Sequence, residues 1–221
     1  MSKHKHFAVI LSGCGVFDGA EVHESVFTLW AIAKSGCTYQ IFAPDISQAQ
    51  VINHLTGDEM IEKRNVLIEA ARIARGNIKP LSELSVNDFD ILIFPGGFGV
   101  AKNLCTFAFD GDQCIVNKEV ENIIKEFYTN KKPIGALCIS PALVTRVLNE
   151  GEVTIGSDIA TANAIESMGG KHVKTNHEEV IIDKRNLIVT SPCYMLDANI
   201  IQIANSAEKV INEIIKLSNQ K

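Results

Sequence analysis

The feature that most constrains this chain is a repeated alternation of short apolar runs with longer stretches of helical periodicity. Phe7 to Leu11 precedes a helical pattern from Ala20 to Ser35, and Thr38 to Ala43 precedes one from Arg64 to Arg75. Ile91 to Phe94 is followed by Lys118 to Asn130, and Ile134 to Leu137 by a helix opening at Ser140. Strands that alternate with helices imply right-handed crossovers and a mostly parallel sheet covered by helices on both faces. Val180 to Asp183 and Leu187 to Thr190 flank the polar Lys184-Arg185-Asn186 and read as a hairpin. A final helix, about Ala198 to Leu217, carries Ile200, Ile203, Ala204, Val210, Ile211, Ile214 and Ile215 on a broad apolar face. At 221 residues and 46% hydrophobic, the chain 1–221 has the length and core material of one domain. No repeat, low-complexity tract or linker divides it. The segment Asn103 to Asn117 fits neither period and reads as an inserted loop near the site.

Two segments carry chemistry. Ile134-Gly135-Ala136-Leu137-Cys138-Ile139-Ser140-Pro141 is a strand that ends in a cysteine and opens at once into a helix, the layout of a nucleophile elbow. A side chain there stands over the carboxyl edge of the sheet, and the helix N-terminus favours an anion, so Cys138 is a candidate thiolate. The competing reading is a small buried hydrophobe, the commonest fate of a free cysteine. Ile91 to Phe94 ends in Pro95-Gly96-Gly97, and glycines let bare N–H groups approach a reacting atom. Gly96, Gly97 and the elbow N–H of Ile139 are therefore candidates for an oxyanion hole. Ser12-Gly13-Cys14-Gly15 lacks the spacing of a dinucleotide loop and reads as a tight turn at the edge where open α/β sheets bind ligands. That puts Gly13 and Cys14 near the site, although packing is the commoner role for such a cysteine. In the first helix, Asp18 and Glu21 have the spacing of a capping box. Glu24 has Phe27, Thr28 and Ala31 along its stripe, so its carboxylate is not on a solvated face. Burial would raise its pKa and suit it to hold or move a proton beside Cys138.

Composition narrows the partners. A net charge of −5 without a basic run argues against a general nucleic-acid binder and favours small molecules. No apolar signal region and no membrane-length apolar stretch is present, which reads as a cytoplasmic protein with no membrane partner. Six cysteines lie far apart without Cys-x-x-Cys and are expected to be reduced. Six histidines show no metal-ligand spacing, so neither a metal nor a cofactor is expected. His177-Glu178-Glu179 offers a histidine and a glutamate, yet a predicted hairpin follows it where a hydrolytic triad would want a helix. The first helix is apolar in nearly every direction from Val22 to Ala33, which one sheet face cannot cover. A homodimer with that helix near the interface is expected.

Taken together, Ile10 to Gly19, Val51 to Gly57, Arg64 to Ile73 and Pro95 to Leu104 resemble the PfpI-type superfamily with its class I glutamine-amidotransferase-like fold. Within it they resemble the ElbB type, known for enhancing lycopene biosynthesis. The resemblance spans almost the whole chain and implies a flavodoxin-like doubly wound sheet, a nucleophilic cysteine at Cys138, a helix-1 glutamate at Glu24 and a compact dimer. In many superfamily members a histidine follows the strand after the elbow helix. Here that region reads Thr154-Ile155-Gly156-Ser157-Asp158, with Asp158 near the place and no histidine, a feature the ElbB type shares. The resemblance implies a cofactor-free glyoxalase acting on a small aldehyde or dicarbonyl and converting glyoxal to glycolate. The alternative is a non-catalytic stress-response or metabolite-binding protein with a redox-sensitive cysteine, since fold alone does not fix function.

Overall fold

The strand residues alternate between two cores, and that alternation sets the architecture. In β1 (His6–Ile10), Phe7 and Val9 point to one face while Ala8 and Ile10 point to the other. In β4 (Ile91–Phe94), Ile91 and Ile93 share the first core, and Leu92 and Phe94 the second. A strand buried on both faces reads as a continuous apolar run because helices cover each side. The computed structural model describes residues 4–220.

Between these strands lie α1 (Val22–Lys34), β2 (Thr38–Ala43), α2 (Val66–Ile73) and β3 (Ile78–Pro80). After β4 come a π-helical stretch over Val100–Leu104, a single turn α3 (Phe107–Asp110), α4 (Lys118–Thr129), β5 (Ile134–Leu137) and α5 (Ser140–Leu148). The chain finishes with β6 (Glu152–Val153), α6 (Ile159–Ser167), β7 (Lys171–His172), β8 (Ile181–Asp183), β9 (Ile188–Ser191) and α7 (Ile200–Ser218). Seven strands form one sheet in the order β3-β2-β1-β4-β5-β9-β8, and β6 pairs with β7 in a small separate sheet. All neighbours in the large sheet are parallel except β8 and β9, the hairpin expected from the sequence. This is the doubly wound, flavodoxin-like α/β fold. The strand order reverses direction between β1 and β4, and a ligand crevice opens at the carboxyl ends beside such a switch point. No helix among the described residues is long and apolar enough to cross a membrane.

Two local expectations need correction. Asp18 does not cap the first helix: its Oδ2 accepts from the Ile52 N–H at 2.7 Å. The preceding chain is folded into a turn by Gly15 N–H to Ala20 O and Gly19 N–H to Gly15 O, so the helix begins only at Val22. Glu21 itself is the cap and accepts the Glu24 N–H at 2.7 Å. The helix is also less uniformly buried than its composition suggests: Ala31 and Ile32 are enclosed, whereas Val22, Val26 and Trp30 are exposed along one stripe.

Candidate active site

Cys138 follows β5 directly, and its N–H donates to Ser191 O at 3.0 Å, carrying the β5–β9 ladder one step past the strand. Its φ of +59° is a left-handed conformation that few side chains occupy without support from their surroundings. That turn is the elbow: Ile139 and Ser140 enter α5 at once, with Pro141 in its first turn. Ser140 Oγ donates to Pro95 O at 3.0 Å and ties the elbow to the glycine loop after β4.

The glycine loop fits against the cysteine so closely that a side chain has no room. A Cβ on Gly96 would lie 2.3 Å from Cys138 Cβ and 2.4 Å from Glu24 Oε2. Gly97, at φ +102°, is held by neighbouring backbone, where a Cβ would meet Glu21 N and Gly19 O at 2.4 Å. The N–H groups of Gly97 and Ile139 lie on the side of the Cys138 sulfur and favour its thiolate. Gly96 differs from the expectation: its N–H is engaged by Glu24 Oε2 at 2.9 Å, so it supports the carboxyl group rather than facing a ligand.

Glu24 reaches this point from α1 and is fully buried. Its Oε1 accepts the Tyr194 N–H at 3.1 Å, and its carboxyl group lies beside the Cys138 side chain, the two meeting over Gly96. Burial, reinforced by the charge of Glu21, pushes its pKa up to about 8, so the carboxyl group is protonated at neutral pH. The Cys138 thiol is pushed well above its usual range, first by burial and then by the Glu24 charge, against the pull of the Gly97 and Ile139 N–H groups. The resting thiolate expected from the helix N-terminus is therefore corrected. Only 6% of Cys138 is exposed, and desolvation outweighs the dipole. Because Glu24 is neutral at pH 7, its charge stops opposing the thiolate there, and the two groups titrate as a pair.

A cavity of about 460 Å³ opens over the sulfur. Its walls include Gly97, Phe98, Phe107, Asp158, Tyr194 and Met195. Gly13 and Cys14 do not line it. Gly13 packs against Gly19, and Cys14 is half-buried near Glu69 and Arg72, with its thiol pKa raised by burial. Asp158 caps α6 by accepting the Thr161 N–H at 2.8 Å, and the Thr161 hydroxyl, seconded by that N–H, holds its carboxyl group below the usual range and leaves it ionised in the cavity wall. Tyr194 was not identified from the sequence, and its contribution is a backbone N–H that no residue type announces. His177 bonds Asp197 O and His23 bonds the Tyr194 hydroxyl, so neither reaches Cys138 as a base. Among the described residues no three His, Cys, Asp or Glu side chains gather as a metal site requires.

Known proteins resemble this chain in sequence and fold. Human glutamine amidotransferase-like class 1 domain-containing protein 3, mitochondrial, is 44% identical over 96% of this chain and 82% of its own length. The rat mitochondrial ES1 protein homolog is 43% identical over 96% and 83%. The crystal structure of an isoprenoid biosynthesis protein with an amidotransferase-like domain from Ehrlichia chaffeensis is 36% identical, covers 96% of this chain and 99% of that one, and superposes with a TM-score of 0.91. A glyoxalase III from Candida albicans shares the fold at 17% identity and a TM-score of 0.64, covering 96% of this chain and 97% of that one. The sequence pattern of the DJ-1/PfpI family covers residues 14–194, spanning the glycine loop, the elbow and the Tyr194 support of Glu24, and the chain belongs to that family.

Proposed function

We propose that this protein is a cofactor-independent glyoxalase of the ElbB type that converts glyoxal to glycolate at Cys138. The observation that carries the reading is the buried contact between the Glu24 carboxyl group and the Cys138 thiol at the floor of a cavity sized for a small dicarbonyl. Loss of one proton from the pair gives the reactive form. The sulfur bonds to one carbonyl carbon, its proton passes through Glu24 to the new oxygen, and a hemithioacetal results. Gly97 and Ile139 N–H groups, already on the side of the sulfur, stabilise the oxygen as charge develops. The Glu24 carboxylate then removes the C–H proton to give an enediolate and returns it to the neighbouring carbon, while the hydroxyl proton on the sulfur-bearing carbon passes to the other oxygen. That leaves a glycolyl thioester, which water cleaves to glycolate and the thiol. The fold is one a glyoxalase III also uses. The link to isoprenoid metabolism rests on the name of the Ehrlichia chaffeensis protein alone.

The test is glycolate formation from glyoxal by purified protein, followed by NMR. Turnover by the wild type is expected to persist in EDTA and to fall by about 10²-fold or more in Cys138→Ala. Absence of glycolate, or full turnover by Cys138→Ala, overturns the proposal. A thiol that burial holds protonated favours a second reading, a non-catalytic metabolite-binding protein. Saturable dicarbonyl binding without turnover would select it. The proposed assembly is a homodimer of one-domain subunits. The proposed compartment is the cytoplasm, with the mitochondrial names of the human and rat relatives as the competing outcome for subcellular fractionation.

A further inference from the structure

We propose that Cys105 and Cys114 form a reversible dithiol–disulfide couple, closed by a peroxide, that fixes one wall of the Cys138 cavity. The two residues stand at the neck of the inserted loop. Cys105 bridges antiparallel to Val116, Thr106 N–H donates to Ile115 O at 3.0 Å, and Asn117 N–H donates to Leu104 O at 2.8 Å. The two ends of the loop thus run side by side, which places Cys114 two residues from Val116, the cross-strand partner of Cys105; the Cys105 thiol donates to Val100 O at 3.4 Å, and the two sulfurs are close enough to shift each other's ionisation. The loop between them carries Phe107 and Ala108 into the lining of the active-site cavity. Packing of two small apolar side chains would account for burial alone. It does not account for the surroundings of Cys114, which borders a separate cavity of about 310 Å³ lined also by Lys125 and Arg146. Arg146 Nε donates to Cys114 O at 2.8 Å. The Cys105 side chain and the nearby guanidinium lower the Cys114 thiol pKa, while Cys105 is pushed up. That asymmetry suits an attacking sulfur and a resolving one.

The chemistry balances with hydrogen peroxide as oxidant. The Cys114 thiolate bonds to one peroxide oxygen, the O–O bond breaks, and the departing hydroxide takes a proton to leave as water. Cys105 sulfur then bonds to Cys114 sulfur, the S–O bond breaks, and a second water leaves. The thiols lose two electrons and peroxide gains them; an external dithiol reverses the step. Cys114 lies closed beneath its cavity, so a small uncharged oxidant reaches it as the loop opens and a bulky maleimide does not.

The experiment uses the full chain carrying Cys138→Ser, which removes the proposed nucleophile and makes the readout independent of any glyoxalase activity. After peroxide treatment, denaturing alkylation and peptide mapping are expected to show a Cys105–Cys114 cross-linked peptide, the loss of those two free thiols, and their recovery with dithiothreitol. Hydrogen exchange across Thr106–Gln113 is expected to slow in the oxidised form. Adding Cys105→Ser is expected to leave Cys114 as a dimedone-trappable sulfenic acid, and Cys114→Ala is expected to abolish both products. Full alkylation of both cysteines at peroxide doses that already oxidise Cys37, or a disulfide joining either to another cysteine, overturns the proposal.

Discussion

At the scale of single residues, the protonated Glu24 makes the site pH-dependent in two measurable ways. Its folded pKa of about 8 lies above the 4.5 of an ordinary glutamate. The stabilisation is therefore complete below about 4.5 and is lost as pH rises towards 8, by about 1.4 kcal/mol per pH unit for one linked proton. Glu24→Gln cannot titrate. It also leaves either the Gly96 or the Tyr194 N–H facing an amide NH2, a constant cost of about 1–3 kcal/mol. In urea unfolding the stability advantage of wild type over Glu24→Gln should shrink as pH rises from 5, vanish, and reverse before pH 8, because the linked loss outgrows the constant cost. A constant gap across that range would mean that Glu24 ionises normally. Glu21→Gln removes the second cause of the shift while keeping an oxygen to cap α1, so it should move the inflection to lower pH. The same ionisation governs the proposed chemistry: glyoxal turnover should rise with pH through the Glu24 range, because loss of one proton from the pair creates the nucleophile. A rate that falls across that interval counts against the mechanism.

Among the elements, α7 is anchored by a reciprocal cap that the sequence left unremarked. Asn199 Oδ1 accepts the Ile201 and Gln202 N–H groups at 3.0 Å, and Gln202 Oε1 accepts the Asn199 N–H at 2.9 Å. Asn199→Ala should cost about 1 kcal/mol in chemical denaturation; a change under a few tenths would show that the helix end is held by packing alone. The bounds of β2, β4 and β5 were legible because each is a dense apolar run closed by a turn, as were the β8–β9 hairpin and the main helices. Three short strands escaped: Ile78–Pro80 ends in a proline, and β6 and β7 span two residues each. Helix α6 escaped as well, since only Ile165 of its nine residues is buried and no apolar stripe marks it. The same logic separates the site residues. Cys138 and Gly97 were readable because an elbow and a glycine pair leave a mark on composition, whereas the Tyr194 N–H leaves none. Gly13 and Cys14 were misplaced because a turn at the sheet edge shares the crescent of a ligand site without facing it.

For the whole molecule, the exposed stripe Val22, Val26 and Trp30 on α1 is the surface on which the proposed homodimer depends. Ile200 and Ile201 at the start of α7 add further exposed apolar area on the chain. Ala31 is enclosed by the chain's own core and reports nothing about a partner, so the informative substitution is Val26→Asp. Light scattering should give a dimer for the wild type and a monomer for Val26→Asp with unchanged secondary structure. A wild-type monomer at micromolar concentration would refute the assembly. The contact of Glu24 with the Tyr194 N–H, 170 residues away, also has a consequence in time. Gly96, 72 residues on, supplies the other half of the same support, so the proton-holding group cannot take its final environment until both ends of the chain have met. In a refolding experiment, helical signal should precede protection of Cys138 from a thiol reagent, and a chain still lacking its last strand on the ribosome would hold an ordinary, ionised glutamate. Chemical competence at this site would then serve as a record that the chain had been made and folded as far as Tyr194, with no reactive pair exposed on the way.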